Sequence, residues 1–134
     1  MLASMGSENV ELLERIYERW GAGDFRRDPS LPDEFTLVMH ASVPDTGTYA
    51  GRDRVAYYME QFLQPWARLT IAAEEMTEGG DKVLVQVLQT GVGGTSGITA
   101  AQQMFNLWTF AEGEPVRMEA FSEEAAARKK FEQA

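Results

Sequence analysis

Cysteine is absent from the 134 residues, which removes disulfides, thiolate nucleophiles and cysteine-ligated metal sites together. The single histidine, His40, leaves no nitrogen-ligand set either, and the carboxylates are scattered without any metal-ligand spacing. No apolar run approaches the length of a membrane span. Met1 to Gly6 has no basic flank ahead of an apolar stretch, so no signal peptide is read there. Basic residues are few: 12 Lys and Arg against 21 Asp and Glu give a formal net charge of −9. Such a surface repels phosphate backbones and anionic lipid, because non-specific nucleic-acid affinity comes from Lys and Arg displacing counterions. Nucleic acid and membrane are therefore not expected partners. Together these absences point to a cytoplasmic protein without a metal site.

An apolar fraction of 44% and a charged fraction of 25% are ordinary for a globular chain. This length suits one domain, which buries roughly two-thirds of its unfolded surface. The reading is a flexible stretch over residues 1–7 and a single domain over 8–134. Val10, Leu13, Ile16, Tyr17 and Trp20 recur at helical spacing, so Glu8 to about Ala22 is read as an amphipathic helix stopped by Gly23. A second helix starts near Gly51, with Asp53 in its first turn and a stripe of Val55, Tyr58, Met59, Phe62 and Leu63, and Pro65 ends or kinks it. Between them, Pro29 to Glu34 is a link, Phe35 to Ala41 a first strand, and Val43 to Tyr49 a loop.

From Leu69 the period becomes strand-like, with turn signals at Glu78 to Asp81, Gly91 to Gly97 and Glu112 to Pro115. Four strands follow, over Leu69–Thr77, Lys82–Val92, Ile98–Phe110 and Val116–Phe121, as an antiparallel meander. Ser122 is read as the cap of a last helix, acidic at its start and basic at its end. The fold class is α+β: a strongly curved antiparallel sheet, shaped as a cone-like barrel, with helices packed on its concave face. Helix stripes cannot fill so large a concavity, and the gap becomes an apolar pocket. Gly91 to Gly97 is not a phosphate cradle, since no Lys-Ser or Lys-Thr follows and the segment lies in a hairpin.

The element order, with Trp20-Gly-Ala-Gly-Asp-Phe25, Tyr49-Ala-Gly-Arg-Asp53 and Trp108-Thr-Phe-Ala-Glu-Gly113, resembles the nuclear transport factor 2-like superfamily and, within it, the SnoaL-like members. The resemblance spans Glu8 to Phe131. It implies a pocket for a small apolar molecule and opens the reactions of polyketide cyclases, ketosteroid isomerases and dehydratases, all acid–base chemistry without a cofactor. It also implies site residues: Asn106 falls where ketosteroid isomerases carry an oxyanion donor, His40 near their carboxylate base, and Glu119 where several cyclases keep an acid. Strand alternation sets Gln102, Met104, Asn106, Trp108 and Phe110 on one face. His40, Glu119 and Asn106 are thus expected to converge, with His40 and Glu119 facing each other across the pocket and dividing proton donation and acceptance between them in either order. Trp20, Tyr58, Met59, Phe62, Met104 and Trp108 are the expected ligand contacts.

Each assignment has a structural alternative. His40 can be a hydrogen-bonded wall residue, Glu119 an ion-pair partner of Arg117 or another cation, Asn106 a satisfier of backbone groups, and the aromatics simply core. The sequence also departs from two enzyme patterns that the resemblance brings up. Ile16 stands where ketosteroid isomerases have their catalytic tyrosine, with Tyr17 one residue off. Leu84 and Gln86 stand where epoxide hydrolases need an aspartate beside an arginine. An enzyme and a non-catalytic binding or dimerisation module both remain open. A homodimer through the outer sheet face is expected, because Val83, Val85 and Val87 alternate with Leu84, Gln86 and Leu88, leaving both faces of one strand apolar.

Overall fold

A computed structural model describes residues 7–25, 31–40 and 47–133. The expected flexible stretch, apart from Ser7, the start of the Pro29 link and the first part of the Val43 loop lie outside the described residues. Helix α1 runs Glu8–Gly21, with the Ser7 hydroxyl accepting the Val10 N–H at its start. Gly23 ends it at φ +83°, where the Asp24 and Gly23 N–H groups reach back to the Arg19 and Trp20 carbonyls. That paired closure needs a left-handed residue, and glycine takes it without a Cβ clash.

Strand β1 is Thr36–Met39 and β2 is Gly47–Ala50, followed by α2 over Arg52–Leu63. The long strands are β3 (Trp66–Gly79), β4 (Lys82–Gly93) and β5 (Thr99–Ala111), then β6 (Glu114–Phe121) and α3 (Glu124–Glu132). They form one six-stranded sheet in the order β2-β1-β6-β5-β4-β3. The meander β3 to β6 is antiparallel as read, but β1 joins β6 in parallel, so the sheet is mixed. β1 comes before α2, whose crossover returns the chain to the far edge, and this fixes its direction beside β6. Irregular register at Trp66/Arg68, Ala73/Glu75 and Thr109/Phe110 bends the strands.

Three local expectations are corrected. Gly47 to Tyr49, read as loop, belongs to strand β2, with Leu37 opposite Tyr49; pairing with the β1 edge overrides its turn-like composition. The last helix takes Glu123, not Ser122, as its N-cap residue. It also packs on the face of the sheet opposite the other two helices. β6 ends at Phe121, and two residues later the chain folds onto the side to which that ring points, so Ala127 and Phe131 close over Leu84, Phe105, Leu107 and Phe121. The main core lies on the other face, where Leu13, Ile16 and Tyr17 of α1 and Val55 and Tyr58 of α2 meet Val83, Val85, Val87 and Trp108. Part of the apolar outer face expected to need a second copy is therefore covered by α3 of the same chain.

Candidate functional site

The helix-covered face leaves a cavity of about 690 Å³, within the range of small-molecule pockets. Trp20 enters it from α1 and Phe25 from the turn beyond it, Phe35 from just before β1, Leu37 from β1 and Met118 from β6. α2 presents Arg52, Val55, Ala56, Met59, Glu60 and Leu63, and β3 presents Trp66 to Leu69. Ala56, Glu60, Ala67 and Arg68 are exposed, so the cavity opens between α2 and the start of β3. All three tryptophans of the chain, Trp20, Trp66 and Trp108, border this one space.

The deep wall is an aromatic cluster held by a polar centre. Trp108 lies 5.9 Å from Phe35 and 6.1 Å from Trp20, ring centre to ring centre, and Tyr17 meets both tryptophans edge-on. Behind the wall, the Tyr17 hydroxyl accepts the Trp108 Nε1–H and the Asn106 Nδ2–H, each at 2.8 Å. Burial pushes the Tyr17 hydroxyl well above its usual range, and the two donors offset this only in part. It therefore stays neutral and serves to fix the Trp108 ring. At the mouth, Arg52 is engaged with the Leu31 carbonyl and with Asp33, which ties the link before β1 to α2. Arg68 and Glu60 are the other charged groups on the wall.

The expected convergence of three polar residues is not what the fold builds. Asn106 lies opposite Ala120 and faces the helix-covered side, whereas Glu119 lies opposite Leu107 and faces α3. A strand reverses face at every residue, and Glu119 and Ala120 are neighbours. His40 and Glu119 do meet, but directly and not across a pocket: His40 Nε2 is 3.0 Å from Glu119 Oε1. The His40 ring stacks on Phe121 at 4.0 Å, and Lys130 of α3 stands 3.9 Å from the same carboxylate oxygen. Glu119 is only 3% exposed, a buried carboxylate shared by the His40 imidazole and the Lys130 ammonium, and Arg117 is not among its partners. None of His40, Glu119 and Asn106 lines the cavity.

Of the expected ligand contacts, Trp20, Met59 and Trp108 are on the cavity wall, whereas Tyr58, Phe62 and Met104 are not. On α2 the residues Val55, Met59 and Leu63 share the cavity side. Tyr58 and Phe62 turn toward β2 instead, where Tyr58 packs on Tyr49 at 4.5 Å. Met104 sits four residues from Trp108 along β5, about 13 Å at strand rise, and fills the core. Sequence reasoning missed Trp66, Phe25, Phe35, Met118 and the two arginines. For Trp66 a signal existed: glycines clustered in β4 mark a place where something large approaches the backbone.

Among the described residues no cluster of His, Asp and Glu could hold a metal ion, and no helix is long and apolar enough to cross a membrane. The SnoaL-like domain model matches residues 13–118. No curated protein matches the chain. Among solved structures, the fold is similar to a protein from Jannaschia sp. CCS1 proposed to be a SnoaL-like polyketide cyclase, with a TM-score of 0.74 and 22% identity over 91% of this chain and 90% of that one. It is similar also to TerC co-crystallised with polyporic acid, with a TM-score of 0.75 and 21% identity over 95% of this chain and 100% of the other. IdmH from Streptomyces antibioticus, a proposed polyketide cyclase, gives a TM-score of 0.71 and 13% identity over 93% and 99%. At these identities the likeness shows a shared fold.

Proposed function

The chain belongs to the SnoaL-like domain family, and from that premise we propose that it binds a small, flat, carbonyl-bearing apolar compound in the cavity between the helices and the sheet. The observation that carries this reading is the gathering of all three tryptophans on one cavity of about 690 Å³. Aromatic walls around an open space have no advantage over a filled core unless something else is packed there. Two similar structures are proposed polyketide cyclases, and a third, TerC, was crystallised with polyporic acid. The matching reaction class is cyclisation or isomerisation of a conjugated carbonyl compound. In it the walls fold the substrate and exclude water, contributing proximity before any proton transfer. A cytoplasmic setting and the absence of any cofactor belong to the same proposal.

Titration with 1,4-naphthoquinone tests the reading. Trp20 and Trp108 fluorescence should be quenched, and ligand at a hundred times its dissociation constant should raise stability by about 2.7 kcal/mol. Met59→Trp, which fills the cavity from α2, should abolish both effects while the chain stays folded. Undiminished binding by Met59→Trp would reject the site.

A second reading is favoured by one observation, the hydrogen-bonded His40–Glu119 pair with its buried carboxylate. In it the pair is the acid–base element and acts on the α3 side. The two readings separate experimentally, because pair and cavity lie on opposite faces of the sheet. Glu119→Gln and His40→Ala should each lower turnover of a substrate by about a hundredfold or more if the pair is catalytic, and should leave naphthoquinone binding intact. Near-wild-type turnover in both variants rejects the second reading.

A further inference from the structure

β4 runs out in Gly91-Val92-Gly93-Gly94. Gly91 does not have a positive φ, so its backbone conformation is open to other residues, and its reason for being glycine is room. Trp66 opens β3 directly after the corner at Pro65, and the strands pair with Trp66 opposite Gly93 and Leu69 opposite Gly91. The six-membered ring of Trp66 comes down on Gly91: a Cβ there would stand 2.5, 2.7 and 2.9 Å from three of its atoms. Gly94 donates its N–H to the Pro65 carbonyl at 2.9 Å. The glycine run is thus the seat of the Pro65–Trp66 corner.

Trp66 differs from the other two tryptophans. Trp20 and Trp108 are locked into rings of Tyr17, Phe25 and Phe35. Among the described residues no ring packs on Trp66, which is half-buried and borders the cavity near its exposed side. An indole backed by glycine on one side and by open space on another has a surface free for stacking.

We propose that Trp66, seated on Gly91, is the specificity-determining wall of the cavity. It is a platform that selects a flat conjugated ring over a globular molecule of the same size, with Gly91 a positioning residue that acts only through Trp66. The inference rests on the cavity being a ligand site. A planar ring laid on an indole gains close dispersion contact and offset-stacking attraction that a globular hydrocarbon cage cannot match. A methyl group at position 91 lifts the indole from its seat, so the platform is lost although no ligand contact has been touched.

Calorimetric titration with 1,4-naphthoquinone and with 2-adamantanone, a flat and a globular ketone of equal carbon count, tests this. Wild type should prefer the quinone. Trp66→Ala and Gly91→Ala should each weaken quinone binding about tenfold, the scale of one aromatic stacking contact, and leave adamantanone within about twofold. The double variant should bind the quinone no more weakly than Trp66→Ala alone. Overpacking can also unfold Gly91→Ala; removing the indole in the double variant should then restore the thermal midpoint of Trp66→Ala. Unchanged quinone preference in Trp66→Ala, additive losses in the double variant, or a double variant that stays unfolded each overturn the proposal and leave the cavity reading standing. Failure of wild type to bind either ketone overturns the cavity reading and the platform with it.

Discussion

Tyr17→Phe removes one oxygen from the most tightly organised point of the molecule. Its hydroxyl accepts two N–H groups at 2.8 Å, one from Asn106 and one from Trp108, both from residues that are at most 5% exposed. Each buried donor left unpaired costs about 1–3 kcal/mol, and relief from burying the hydroxyl itself returns part of that. A net loss of about 2–4 kcal/mol follows, or about 8–16 °C in thermal midpoint for a chain of this size. Urea unfolding followed by circular dichroism at pH 7 measures it. The loss should also depend on pH in one direction. The unfolded chain releases this proton near pH 10.0, whereas the folded hydroxyl, raised by burial, holds it to higher pH. Between those points the folded state binds more protons. The contribution of Tyr17 to stability is therefore whole below about pH 10 and falls above it by about 1.4 kcal/mol per pH unit. Tyr17→Phe has no such limb, so the gap between the two proteins should narrow as pH rises. A loss below about 1 kcal/mol at pH 7, or a gap that stays constant into the alkaline range, would refute the account of Tyr17 as a neutral, doubly bonded acceptor.

His40→Ala should cost about 1–3 kcal/mol, less than a fully buried pair because His40 itself is partly exposed; equilibrium unfolding shows it, and no change would mean that Lys130 alone satisfies Glu119. Phe131→Ala, which opens the α3 face beside Gly79, should cost about 2 kcal/mol and leave naphthoquinone binding unchanged; a parallel loss of binding would show that the two faces are coupled. Self-association through the part of the outer face that α3 leaves open, around Leu88 and Gln103, is our proposal for the quaternary state. Light scattering should give a dimer that dissociates on dilution, and a monomer independent of concentration would refute it.

Periodicity alone made much of this fold legible. The α1 stripe, its stop at Gly23, the β3–β6 meander and the last helix follow from local chemistry, because a residue's neighbours at spacings of two or of three and four decide which backbone it joins. The alternation that sets Trp108 and Asn106 on one side of β5 is equally local, and it holds. Alternation within one strand cannot say how the sides of two strands correspond; that is decided by register between them. Leu107 lies opposite Glu119 and Asn106 opposite Ala120, and this single register sends the acid to the α3 side and the amide to the helix side. The aromatic cavity was legible as a surplus of concavity over filling, and Trp20, Met59 and Trp108 lie on its wall. Its fourth side was not, because the β4 glycines and Trp66 lie 25 residues apart between Trp66 and Gly91. Only pairing of β3 with β4 turns an empty position on one strand into the seat of a ring on the other, since the sequence records the missing side chain but not the neighbour that needs its space.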